Sequence, residues 1–383
     1  MTRSSLLENV ALRGLTLAPP QVWGGVRLVP LLRQDIREDL RLAKRSYSED
    51  TTVVALDGEL LGAGTKYISY VPHALVMSWS TDGTAVAAFG TQLEGRDGKR
   101  LGKGAGAVRV THRMARREGG NQLRLLPLHL AMEGFLALHF GGPEVAWSEY
   151  SQQALVQGLS PRTERSVSGW GIPGLEDALR VFEIHENQVG VLLFVADALA
   201  SAFVVPHPED YRALHRSLLE DFYGTLLLQY AAYATPSRME TSLAESRVSA
   251  LSDLRRELSV LRAEWAAFHE HMASGLFTRP VTSQRVYRAG PFQLQRFSTV
   301  LNPSEENHLG EAIVRDSGEL EYLKTFRLSS AQTRRAFLLS QLAAHNWNLD
   351  ATAGALRQTK ADLVQRLDNA GFGYLLKEHV LRR

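Results

Sequence analysis

The sequence predicts an α+β front domain, a central coiled-coil helix and a C-terminal all-α helix-turn-helix unit. Three observations carry this expectation. Short β-rich runs recur between Gly and Asp punctuation in the first half, seven apolar residues keep strict heptad spacing in the middle, and a helical pattern broken by Asn and Gly closes the chain. With 383 residues, 44% apolar and 22% charged, the chain has ordinary globular composition and enough length for several structural units.

The front domain spans residues 20–235. VRLVPLL at 26–32, TTVVALDG at 51–58, YISYVPHALVMSWS at 67–80 and TAVAAFG at 84–90 read as strands joined by turns. QVGVLLFVADALASAFVVP reads as a hairpin, with two apolar runs flanking a turn at Ala196–Asp197–Ala198. Beyond it, Leu214, Leu218, Phe222, Leu226 and Tyr230 form a stripe every fourth residue, which predicts a helix facing a core.

Residues 239–275 predict one long helix. Leu251, Leu254, Leu258, Leu261, Trp265, Phe268 and Met272 alternate steps of three and four. A core helix drifts toward a period of about 3.6, so the strict repeat points to a coiled coil pairing two copies through 251–272. Pairing within one chain is the competing reading. His269, Glu270 and His271 have the wrong spacing for a metal pair on one helical face and are expected on the solvent side.

Residues 276–327 form a connector. Pro280, Gly290, Pro291 and Pro303 break helices, and RVYRAGPFQLQRF alternates as a short strand pair does. It is either a small β unit or a clasp on the front domain. In residues 328–383, Ser329 or Ser330 caps a helix whose inner face includes Phe337, Leu338 and Leu342. Ala353 and Leu356 close a second helix; Thr359 caps a third with Leu363 and Leu367 inward and Gly371 as its stop. That places Lys360, Gln365 and Arg366 on the outer face.

The net charge is +2, so the whole chain is no polyelectrolyte, but residues 324–383 hold ten basic side chains against four acidic ones. Two short helices with an outward basic face have the shape of a major-groove reader, with DNA as the expected partner. Another basic segment, Lys99, Arg100, Lys103, Arg109, Arg113, Arg116 and Arg117, lacks the spacing of a phosphate-binding loop and is read as a solvated hairpin. Zero cysteines exclude disulfides, thiolate zinc sites and a cysteine nucleophile. The N-terminus lacks the apolar core of a signal peptide, and Val189–Val205, interrupted by Asp197, falls short of the ~20 apolar residues of a membrane span. A cytoplasmic protein, nucleoid-associated if it binds DNA, is expected, with no membrane partner.

No nucleophile–base pair can be assembled from spacing, so the chain is not expected to be an enzyme, and no metal or cofactor is expected. Asp57 and Glu59 at a strand end, and Glu183 and Glu186 flanking His185 before the hairpin, are the candidate acidic or ligand-binding positions. His129 and Glu133 share a helical face, with His139 following.

The run Asn348, Ala353, Leu356, Thr359, Leu363, Leu367 and Gly371 resembles the Fis-type helix-turn-helix that ends Fis itself and the NtrC-like activators. The resemblance implies that Thr359, Lys360, Gln365 and Arg366 touch DNA. Arg357 replaces the turn glycine, Gln358 replaces an apolar residue, and Asp362 is expected to face phosphates. LDGELLGAGTKYISYVP and HENQVGVLLFVADALASAFVVPHPEDYRALHRSLLEDFYGTLL resemble the ARPP class, bacterial domains associated with ADP-ribosylglycohydrolases and rhodanese/phosphatase-superfamily proteins. That class carries no settled activity. Together the two resemblances imply a transcription regulator whose front domain senses a small molecule or protein. The alternative they imply is an interaction scaffold of an ADP-ribose-linked or defence-type system whose helix-turn-helix is degenerate.

Overall fold

The computed structural model describes residues 7–44, 139–140, 174–196, 198–219, 223, 227 and 245–376, together with eight strands between 52 and 125. Asp57, Glu59, His129, Glu133 and most of the basic segment 99–117 lie outside the described residues.

The first three strands are β1 (Leu15–Leu17), β2 (Gln21–Trp23) and β3 (Val26–Arg33). Next come β4 (Leu40–Lys44), β5 (Thr52–Leu56), β6 (Thr65–Ser69), β7 (Leu75–Trp79) and β8 (Ala85–Phe89). β9 (Thr91–Glu94), β10 (Arg100–Leu101), β11 (Val108–Val110) and β12 (Arg124–Leu125) follow. β4, β5, β6, β9 and β10 form a five-stranded sheet, and β7, β8, β11 and β12 a four-stranded one.

After α1 (Leu175–Val181), β13 (Gln188–Val195) and β14 (Ala198–Val204) make an antiparallel hairpin, with Ala196 at φ 51° in its turn. All eight residues of β13 are buried, because this strand lies in the middle of a sheet covered on both faces. Gly190 allows the hairpin to close. A Cβ there would collide with the Phe203 carbonyl oxygen and sit 3.1 Å from Val204 Cα.

The helix α2 (Pro208–Ser217) starts with proline in its first turn and His207 as its cap, and buries Tyr211 and Leu214. The 27-residue α3 (Leu251–Phe277) is followed by four strands: β15 (Val281–Ala289), β16 (Phe292–Thr299), β17 (His308–Arg315) and β18 (Leu320–Arg327). Three helices close the described chain: α4 (Ser330–Ala344), α5 (Leu349–Ala355) and α6 (Lys360–Asn369).

The structure overturns the predicted division into an α+β domain, a coiled-coil helix and an all-α end. One antiparallel nine-stranded sheet, ordered β1-β3-β13-β14-β18-β17-β16-β15 with β2 beside β3, runs from residue 15 to residue 327. The fold is mainly sheet, with six α-helices among the described residues. The joining strands are β14 and β18, where Phe203 pairs with Lys324 and Val204 with Leu323. Thr325 strengthens the seam: its Oγ1 accepts from the Ala202 backbone N–H at 2.7 Å, and its carbonyl accepts from the Ser201 hydroxyl. The segment expected as a connector therefore supplies nearly half the sheet on which the front domain is built.

One face of the sheet packs Val29, Val189, Phe194, Ala202, Phe297 and Leu323 against Ala273 and Leu276 of α3. The N-terminal segment lies across the same sheet, with Leu7 and Val10 buried and the Glu8 carbonyl accepting from Val281 N at 3.0 Å. On the other face, Phe203 meets Tyr322 edge-on at 6.1 Å, and the Tyr223 hydroxyl donates to Ser201 Oγ at 2.8 Å.

The C-terminal half of α3 therefore serves its own sheet. His269 is 4% exposed and lies 5.7 Å from the Phe194 ring, contrary to its expected place in solvent. His271, two residues on and about 200° around the helix, is exposed.

Candidate functional site: the C-terminal helix pair and a charged cleft

Local sequence explains the C-terminal helices well. Ser329 caps α4 reciprocally with Gln332, Asn348 caps α5 by accepting from Ala351 N at 2.9 Å, and Thr359 caps α6. Between α5 and α6 the chain reverses through Arg357 at φ 54°, a left-handed conformation that strains a residue with a Cβ. Leu363, Leu367 and Phe372 turn inward, with the Arg335 guanidinium 4.9 Å from the Phe372 ring centre. Gly371, at φ 80°, terminates α6.

Helix α6 and its N-cap carry the four predicted contact residues. Thr359, Lys360, Gln365 and Arg366 are all exposed. Their side chains are not equally available. The Thr359 hydroxyl donates to Asp362 Oδ2 at 2.6 Å and accepts from Asp362 N at 3.1 Å, so it is engaged in the cap. Lys360 Nζ lies 2.9 Å from Asp350 Oδ2. Asp362, expected to face phosphates, turns its carboxylate back onto Thr359, and those hydrogen bonds hold its pKa below the ordinary value. Gln365 and Arg366 are exposed polar groups at the middle of the helix.

The predicted acidic positions do not assemble among the described residues. Glu183 and Glu186 are exposed between α1 and β13. Glu183 is fixed through its backbone: its N–H donates to Gln21 Oε1 at 2.6 Å and its carbonyl accepts from Gln21 Nε2 at 2.7 Å. No cluster of three His, Asp or Glu side chains suited to a metal occurs among the described residues.

Two polar assemblies were invisible in the sequence. The first is a cleft of about 300 Å³ lined by Thr16, Arg33, Asp35, Arg37, Glu319 and Glu321, among others. Arg33 Nη1 lies 3.3 Å from Glu321 Oε2, and Nη2 donates to the Leu320 carbonyl at 2.8 Å. Burial lowers the Arg33 pKa, and the Glu321 carboxylate opposes that shift. Behind it, Arg315 grips Asp39 through both terminal nitrogens at 2.8 and 3.0 Å and Glu321 at 2.7 Å. Burial works against the Arg315 cation, but the Asp39 and Glu321 carboxylates outweigh it and raise the pKa. This lattice ties β3, β17 and β18 to the loop ahead of β4, and its charges are largely compensated from within.

The second is a straight polar row across four strands. Gln284 pairs with Arg296, Arg296 with Glu311, and Glu311 with Lys324. Gln284 Nε2 donates to the His139 carbonyl at 2.9 Å, and Nε and Nη1 of Arg296 are buried without a hydrogen-bond partner. The sequence signal was a charge on three of the four strands, at Arg296, Glu311 and Lys324, legible only once register is known.

A family model for ARPP-2 matches residues 10–290. The chain belongs to the ARPP-2 family. The match extends past the expected boundary at 235, through α3 and into β15, consistent with strands on both sides of that helix sharing one sheet. No curated protein matches the chain. No solved structure matches it either. The C-terminal helices lie beyond the ARPP-2 match. Among the described residues, no helix is long and apolar enough to cross a membrane.

Proposed function

We propose that this ARPP-2 protein is a DNA-binding transcription regulator of the cytoplasm or nucleoid. The sheet domain senses a small molecule or protein, α3 pairs two copies, and α6 enters the major groove. The carrying observation is that α6 buries only Leu363 and Leu367 and leaves Lys360, Gln365 and Arg366 exposed around the rest of the helix. A groove-reading helix needs that division. The Fis-type resemblance supports the same reading, since Asn348 and Thr359 are caps, Leu363 and Leu367 face inward and Gly371 terminates the helix. A single unit with few phosphate contacts binds weakly at physiological salt, and a second copy multiplies it through effective concentration.

The test is a selection of duplexes from a random pool by the purified chain, followed by gel shifts at two salt concentrations. An enriched two-part site with half-sites roughly 34 Å apart is expected. Arg366→Ala should weaken binding and lower the salt slope by about 1.

A second reading rests on charge. Among the residues of α5, α6 and their connection, Arg357, Lys360 and Arg366 are balanced by Asp350, Asp362 and Asp368, and Lys360 is already paired. That balance suits a protein-contact scaffold. Absent or salt-insensitive DNA binding selects it.

A further inference from the structure

Helix α3 divides into two parts with different occupants. Toward its C-terminal end, His269 and Ala273 are buried on the sheet and Met272 is packed against the core cluster, so these residues already have their neighbours. Toward its N-terminal end, Leu251 is 72% exposed and Leu258 36%. With Leu251 and Leu258 at a, and Leu254 and Leu261 at d, the flanking e positions are Arg255 and Arg262 and the flanking g positions Glu257 and Glu264. Both e residues are basic and both g residues acidic.

That arrangement discriminates orientation. In a parallel pair, g of one helix faces e of the next heptad on the other, which sets Glu257 against Arg262 of the second copy, twice by symmetry. An antiparallel pair sets g against g and e against e, so Glu meets Glu and Arg meets Arg. We propose that residues 251–265 of α3 pair with the same residues of a second copy of this chain as a parallel, in-register coiled coil that ends where His269 docks onto Phe194.

This rests on the dimeric part of the function proposed above and gives it a geometry. The symmetry axis runs along the N-terminal part of α3, and both sheet domains sit at the same end of the coil. Two heptads make a short coil, so the dimer dissociates on dilution.

The chain has no cysteine, which makes cross-linking clean. Leu251→Cys and Leu258→Cys, made singly in the full chain and treated with a short bis-maleimide, should each give a covalent dimer. An antiparallel pair centred on one position separates the other by about 20 Å along the axis, and one centred between them separates both by about 10 Å, so efficient cross-linking at both is expected of the parallel pair alone. Sedimentation of the cysteine-free chain supplies the second arm. Glu257→Arg should weaken association several-fold, and Glu257→Arg with Arg262→Glu should restore it. A monomer at all concentrations, or cross-linking at one position alone, overturns the proposal. Parallel dimers without DNA binding would instead sink the regulator and leave this inference standing, and DNA binding by a monomer would do the reverse.

Discussion

Lys324 Nζ lies 3.4 Å from Glu311 Oε2 in the interior of the sheet, with the two side chains 0% and 2% exposed. Two charges so far from water each gain from the opposite charge beside them, and the cross-strand register of β17 and β18 sets them opposite one another. Arg296 on β16 adds a second cation beside the same carboxylate, and Glu311 raises the Arg296 pKa against the larger lowering effect of burial.

Removing one member of the pair takes the nearest opposite charge from the other. Lys324→Ala should cost about 3–5 kcal/mol in urea denaturation. Lys324→Met combined with Glu311→Leu should cost less than the sum of the single changes, because only the Arg296 cation then loses its counter-charge. Additive losses would mean that the two charges act independently.

Stability should fall with acid. Burial holds His139 and His308 down to about 3 and His215 to about 4, and nearby arginines add to the shift at His139 and His308. Each folded value lies below the unfolded value of ~6.5, so the unfolded chain binds more protons in that window. The contribution is complete above about pH 6.5 and is lost as pH falls through it, on the order of 1 kcal/mol per pH unit for each histidine. Denaturation midpoints between pH 7.5 and 4.5 read this out. His308→Asn should flatten the profile; an unchanged slope would exclude His308 as a source.

At Gly310, a Cβ would strike the Lys324 carbonyl oxygen and come within 2.9 Å of Phe297 Cζ. Backbone cannot yield there without breaking the β17–β18 ladder, so Gly310→Ala should destabilise by several kcal/mol, of order 3. Gly354, on the exposed side of α5, has nothing within 4 Å of an added Cβ. Gly354→Ala should instead stabilise by about 0.5–1 kcal/mol through helix propensity. Thermal unfolding of the two variants side by side checks the contrast.

The α5–α6 turn stores strain that a single change relieves. Arg357→Gly removes the penalty of a left-handed φ and should stabilise the helix pair by up to about 1 kcal/mol. Thr359→Ala removes the cap and should cost about 1 kcal/mol. Amide hydrogen exchange in α6 is the readout, with slower exchange expected in the first variant and faster in the second.

Much of the local structure could be read before any coordinates. The 188–206 hairpin announces itself through two apolar runs around a small turn, α3 through its heptads, and α5 and α6 through Asn348 and Thr359. The inward side of α6, Leu363 and Leu367, follows from helical period alone. The cleft did not, because Arg33 and Glu321 are 288 residues apart, and no local pattern reports such a meeting. His269 was misplaced for a related reason: heptad period assigns it a flank of the helix but says nothing of the sheet lying against that flank.

By itself, the sequence determined the 188–206 hairpin, the heptad-bearing part of α3, how the C-terminal helices are capped and where basic charge collects. Those properties are set by period and by neighbours within a turn or two. Tertiary structure alone decided that β15–β18 complete the sheet begun at β1, that His269 lies inside, that Asp362 faces its own cap and that Gln284, Arg296, Glu311 and Lys324 line up across four strands. Closing a longer loop adds little entropy cost, so many strand partners were open to the chain. Which pairing wins depends on burying both faces of the sheet at once, and that is a property of the whole assembly rather than of any segment in it.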